Sequence, residues 1–153
     1  MGERRKRRRL LMSERMTKEK FVEMIEAGWK DWEAAVAKVP GERMMEAGVS
    51  GFMSLKDVMA HVTWYEREMV RVIKARAVVG SELWGLPLDE RNAAVYEEIR
   101  NLPLEKVLAD SKAVHAEFME GVRGLSEDEL NDHSHFAEMP EEWLPWEMIA
   151  SNC

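Results

Sequence analysis

From Ser54 to Ile73 the chain reads SLKDVMAHVTWYEREMVRVI, and its apolar positions recur with the period of an α-helix. Plotted at roughly 100° per residue, Leu55, Val58, Met59, Val62, Tyr65, Met69, Val72 and Ile73 fall on one side, as an amphipathic helix requires. Ser54 stands where an N-cap is needed. Its hydroxyl oxygen can accept an orphan backbone N–H, and Asp57, three residues on, completes an acidic form of the capping box beside the positive end of the helix dipole. The pattern predicts a helix that continues to about Val79-Gly80.

Other stretches repeat the same logic. Phe21, Ile25, Gly28, Trp32, Ala35, Val36 and Val39 share one face of a helix predicted over Lys18 to Val39, with Thr17 as its cap and Pro40-Gly41 ending it. A connector with Met44, Met45, Gly48 and Gly51 leads to Ser54. After Gly80 comes a long connection, SELWGLPLDERNAAVYEEIRNLPLEKV, with a short helix of its own predicted from Asp89 to Arg100. A further helix is predicted from Pro103 at its first position to Arg123, closed by Gly124. Its inner stripe is Leu104, Val107, Leu108, Ser111, His115, Phe118, Met119 and Val122. Ser126 caps a short SEDEL turn, Asn131 to Pro140 is a polar loop, and Trp143, Pro145 and Trp146 lead into a fourth helix, Glu147 to Cys153. No β-branched alternation longer than a few residues interrupts these runs, so the fold class is all-α.

The 153 residues suffice for one domain with a single core. Twelve Met and six Trp suggest an adaptable interior with aromatic anchors. The net charge of −7 is uneven, because residues 1 to 11 carry +5 and leave −12 for the rest. Residues 1–15 therefore read as a basic, disordered tail and 16–153 as the bundle domain, with Met12 or Met16 as an alternative start. An acidic body excludes broad duplex binding and leaves the basic tail as the one place for a nucleic-acid contact. No apolar run reaches the length of a membrane span or a secretory segment. The single cysteine, Cys153, can form no intrachain disulfide, so a reducing cytoplasm is the expected compartment.

His61 carries the candidate chemistry. It sits at the edge of the apolar stripe, one turn after Asp57 and one turn before Tyr65, and one of these is expected to hydrogen-bond a ring nitrogen. Such a histidine suits general acid or base work, since its unperturbed pKa lies near neutrality. Asn92 and Tyr96 form an i, i+4 pair on the connecting segment and are expected to bind polar groups of a ligand. His115 reads first as a core histidine bonded to a neighbour, and alternatively as a partner facing His61 across a polar cavity. His133 and His135 could ligate a metal, but a lone His-x-His pair on a loop reads better as a solvated turn.

The order of MTKEKF, the W-x-x-W of the first helix, SLKDVMAHVTWYE, N-x-x-x-YEEIRNLPLEKVLADSKAVHAEFMEGVRGLSEDEL and WEMIASN resembles the ClbS/DfsB branch of the DinB-like four-helix bundles, over roughly Met16 to Asn152. The resemblance implies a bundle with a long crossover between its second and third helices and a small-molecule cavity inside it. It also implies a protective hydrolase that opens the electrophilic cyclopropane of a self-made genotoxin. For such a reaction His61 is expected to orient or deprotonate the water, Asp57 or Tyr65 to fix its tautomer, and Asn92 and Tyr96 to bind polar substrate groups, with His61, Tyr65 and Asn92 the candidate catalytic residues. The wider DinB-like group is similar in holding a metal with one histidine of the second helix and two of the fourth. His61 matches the first position, and the fourth-helix pair has no counterpart up to Cys153, so no metal and no other cofactor is expected. The fourth helix reads as incomplete: the domain lacks its last helix, recruits a partner such as a second copy that completes the bundle as a homodimer, or comes from an incomplete reading frame. The alternative reading is a non-catalytic ligand-binding or oligomerising bundle.

Overall fold

The computed structural model describes residues 15–153. The expectations for the basic tail and for an internal start at Met12 fall on residues 1–14 and lie outside the described residues. Six α-helices are present among the described residues: α1 (Lys18–Ala37), α2 (Leu55–Ala75), α3 (Leu88–Ile99), α4 (Leu104–Arg123), α5 (Glu127–Asn131) and α6 (Pro145–Ala150). They are joined by 3-10 turns at Gly41–Arg43, Glu82–Gly85 and His133–His135. The all-α class holds, and the only extended pairings described are isolated bridges, Ser50 with Met53 and Ala77 with Ala137.

Helix α2 begins as its sequence dictates. The Ser54 hydroxyl accepts from the Asp57 backbone N–H at 3.2 Å, and the Asp57 carboxylate accepts from the Ser54 N–H at 3.1 Å. It stops earlier than the apolar pattern suggests, because Arg76 turns into the left-handed region at φ 48°. Two bonds then tie the exit to the loop after α5, Val78 N–H to the Ala137 carbonyl and Ala137 N–H to the Arg76 carbonyl. The other ends differ from their predicted bounds in small ways. Helix α1 ends at Ala37, Pro103 is the cap rather than the first residue of α4, and α6 starts at Pro145 and closes at Ala150.

Burial corrects the one-sided picture of α2. Fourteen of its 21 residues are buried, among them Lys56, Asp57, Thr63, Glu66 and Glu68. The helix is central, with α4 packed most extensively against it and α3 against another side. Gly121 permits the close approach of α4, since a Cβ there would stand 3.1 Å from Ile73 Cγ2. Helix α4 buries Val107, Ser111, Val114, Phe118, Met119 and Val122, close to its predicted stripe. Helix α1 buries only Phe21 and Ile25 fully, and Trp32, Val36 and Val39 are half-covered while Gly28 and Ala35 are exposed.

The core has two apolar clusters rather than one. The first gathers Phe21, Met69, Ile73, Phe118, Val122, Leu125 and Leu130, and the second gathers Leu55, Met59, Trp64, Tyr65, Val95, Ile99 and Val107. A polar contact lies where α2 meets α4: His115 Nδ1 stands 2.6 Å from Glu66 Oε1, with Trp29 stacked on the imidazole at 3.7 Å. His115 is thus the neighbour-bonded histidine of the first reading.

Buried charges on α2 also fix the crossover. Lys56 Nζ donates to the Arg100 and Leu102 carbonyls at 3.0 Å each, which satisfies the end of α3. Glu68 accepts from Ser81 N–H at 2.8 Å, Trp84 Nε1 at 3.1 Å and Arg71 Nη1 at 2.9 Å. Gly80 is needed beside it, because a Cβ there would come within 2.1 Å of the Glu68 carboxylate. Removing that carboxylate strands the Trp84 and Ser81 donors. Glu68→Ala is therefore expected to lower the unfolding free energy by about 1–3 kcal/mol, seen as a lower urea midpoint at unchanged slope. Lys74→Ala, which breaks an exposed pair with Glu117, should shift the midpoint by less than about 0.5 kcal/mol. Equal midpoints for the two variants would contradict this assignment.

Candidate functional site

His61, Tyr65 and Asn92 line one pocket of about 250 Å³, together with Val62, Leu88, Arg91, Ser151, Asn152 and Cys153. Helix α2 supplies the first wall, the start of α3 the second and the residues after α6 the third. A one-turn spacing on α2 sets the rings of His61 and Tyr65 side by side, with centroids 5.0 Å apart. The long crossover brings Asn92 back over them. Tyr65 Oη donates to Asn92 Oδ1 at 2.6 Å and accepts from Arg91 Nε at 3.0 Å.

The hydrogen bonding of His61 differs from the sequence expectation. Asp57 is committed to the cap of α2 and stands 3.7 Å from Lys56 Nζ, while the Tyr65 hydroxyl is taken by Asn92 and Arg91. Neither reaches the imidazole. His61 Nδ1 is buried without any hydrogen-bond partner, and the ring is held by packing. Burial alone lowers its pKa from the ordinary histidine value of 6.5, so the imidazole is neutral at neutral pH. Nδ1 is sealed and Nε2 is not, which leaves one ring nitrogen to meet a pocket ligand.

Other candidates lie elsewhere. Tyr96 is not in the pocket: it meets the edge of Phe52 at 4.8 Å and lies beneath the Arg100 guanidinium. His115 lines no part of this pocket and does not face His61, being bonded to Glu66. His133 and His135 sit in a 3-10 turn capped by Asp132, whose side chain accepts from the Ser134 N–H at 2.9 Å. That bond holds the Asp132 carboxyl below its ordinary range. Cys153 is exposed as a residue, yet crowding at its sulfur and, second, the Glu66 charge push its thiol up to about 12. It offers no thiolate near neutrality.

A three-ligand metal set does not form around His61. Among the described residues no group of three or more His, Cys, Asp and Glu side chains is placed to hold an ion, so no step is derived through a metal. Arg91 is the residue that sequence reading passed over. Its position in the first turns of a charged helix, DERN, gives no signal, because only the fold lays it against Tyr65 and over Trp84, 4.6 Å from the ring centroid. No helix among the described residues is long and apolar enough to cross a membrane.

The lowered pKa of His61 has a consequence for stability. As pH falls, the unfolded chain takes up the proton before the folded one, so the stability linked to this residue is complete above about 6.5 and declines as pH drops below that value toward the folded pKa. Urea unfolding between about pH 7.5 and pH 5 should show that decline, and His61→Gln should flatten it. A decline that His61→Gln leaves untouched would assign the effect to other groups.

Among known proteins, neither the curated sequences nor the solved structures gave a significant match. A family model described as the DinB superfamily does match, over residues 24–150. That span runs from α1 through the last residue of α6 and takes in the two walls formed by α2 and α3, but not the third, which lies after Ala150. With a helical bundle, a long crossover and a match over most of its length, the chain belongs to the DinB superfamily.

Proposed function

We propose that the pocket is the reaction site of a protective hydrolase of the ClbS/DfsB type, acting on a small electrophilic metabolite. The observation that carries this reading is His61: a neutral imidazole with one nitrogen sealed and the other free, on the wall of a pocket that also holds Tyr65 and Asn92. A general base must keep its lone pair at working pH, and a desolvated histidine does so. In the proposed step Nε2 takes a proton from water as the water oxygen bonds to a carbon of an acyl-substituted cyclopropane. The strained C–C bond breaks, its electron pair passes to the carbon beside the carbonyl, and the imidazolium returns the proton there. Water is added and nothing else is consumed. Asn92 Nδ2 forms no hydrogen bond among the described residues and is suited to donate to the carbonyl oxygen that gains charge. Tyr65, held by Arg91, fixes the orientation of Asn92.

The test is hydrolysis of an acyl-cyclopropane probe in ¹⁸O-water, followed by mass spectrometry. Wild-type protein should incorporate one heavy oxygen. A folded His61→Ala variant should lose activity by a factor of about 10²–10⁴, the usual contribution of a positioned base. The rate should hold down to lower pH than an ordinary histidine allows, because the pKa of His61 is lowered. Wild-type and His61→Ala proteins that bind the probe identically and turn over none of it would remove the hydrolase reading.

A second reading, a non-catalytic bundle that pairs with a copy of itself, is favoured by the apolar surface beside the pocket. Leu88 is 58% exposed and Trp143 43%; Trp143 borders a neighbouring hollow that shares Ser151 and Asn152 with the first. This reading expects a dimeric mass by light scattering that Leu88→Ser with Trp143→Ser converts to a monomer. A monomeric wild-type mass at high protein concentration would remove it.

A further inference from the structure

Eight arginines fall among the described residues, and seven of them pair with a carboxylate. Arg91 pairs with none among the described residues, although Asp89 and Glu90 precede it directly and the chain as a whole carries −7. Its guanidinium is half-buried and held by three contacts: Nε donates to Tyr65 Oη at 3.0 Å, the plane lies 4.6 Å from the Trp84 centroid, and the Tyr65 ring is 5.8 Å away. Its two Nη groups make no hydrogen bond among the described residues and are not sealed from solvent. They belong to a pocket with no Asp or Glu in its lining, while Glu66, whose charge is felt at Cys153, is bonded to His115.

A rigid cation with no carboxylate partner among the described residues, in a recess lined by no Asp or Glu side chain, is arranged for an anion. With Nε used by Tyr65, the end-on Nη pair remains, and its two parallel N–H groups match the two oxygens of a planar carboxylate. A tetrahedral dianion such as phosphate would bring two charges to a pocket lined by one permanent cation. We propose that the pocket takes ligands bearing a carboxylate, which Arg91 grips end-on while Asn92 Nδ2 donates to the same ligand. The proposal rests on this pocket being the ligand site and names the class of molecule it admits, independently of turnover. Arg91 is thereby a specificity-determining residue, on the α3 wall of the pocket while His61 is on the α2 wall.

The experiment compares binding of benzoate and hexanoate with that of benzamide and hexanamide, by NMR titration of the intact protein. The acids should bind at least tenfold more tightly than their amides and should shift the Arg91 Nε–H and Asn92 side-chain amide signals. Arg91→Gln should abolish the difference between acids and amides, and Arg91→Lys should keep only part of it. Acids and amides of equal affinity in the wild type, or acid affinity unaltered in Arg91→Gln, would overturn the proposal and leave an arginine that only covers Trp84. Amides that bind at the pocket without any carboxylate preference would spare the pocket reading while rejecting this one. Failure of all four molecules to shift any pocket signal would reject both. Should Arg91→Gln unfold, the wild-type acid-to-amide comparison and the Arg91 Nε–H signal still decide.

Discussion

A helix buried on several faces cannot carry charged side chains unless each of them finds a partner on another element, because an unpaired charge or polar group in the interior costs several times what a hydrogen bond contributes. Helix α2 lives under that constraint. Lys56 is satisfied by carbonyls at the end of α3, Asp57 by the backbone of the helix's own cap, Glu66 by His115 of α4, and Glu68 by Ser81 and Trp84 of the crossover. Each bond fixes a different neighbour against α2. The polar residues thus set where α3, α4 and the crossover sit, while the apolar clusters on either side supply the burial.

Against that rule the exceptions are informative. Only His61 Nδ1 and Trp146 Nε1 are buried and unpartnered among the described side-chain nitrogens and oxygens. Asp57 would be a natural partner for His61 by spacing, but the cap has first claim on it. The residue is left with a desolvated ring and one accessible nitrogen, which is the state a base requires. A structural role would be better served by a hydrogen-bonded ring such as His115, stacked on Trp29 and bonded to Glu66. Two histidines on adjacent helices are thus distinguished by their hydrogen bonds.

The crossover builds a pocket beside that ring. Glu68 holds Trp84 in place, Trp84 supports the Arg91 guanidinium, and Arg91 and Asn92 together hold the Tyr65 hydroxyl. Such a chain of contacts couples the position of the pocket donors to a buried carboxylate two turns further along α2. The DinB superfamily match covers α2, the crossover and α3 together, so the pocket walls they form belong to the family's helical region.

Local chemistry in the sequence determined the all-α class, the Ser54–Asp57 capping box, the Ser126 cap, the short helix in the crossover and the inner stripe of α4. These depend on residues within a few positions of one another, where periodicity and cap geometry speak directly. His61, Tyr65 and Asn92 line one pocket, and they are legible as candidates, the first two by spacing on one helix and the third by its place on the crossover helix. What the tertiary structure alone decided is who pairs with whom. The full burial of α2, the removal of Asp57 from His61, the bond from His115 to Glu66, the displacement of Tyr96 from the pocket and the placement of Arg91 over Trp84 all join residues on different elements or choose between competing partners. Hydrogen-bond choice in an interior depends on which groups arrive from elsewhere in the chain, and a one-dimensional pattern carries no measure of that arrival.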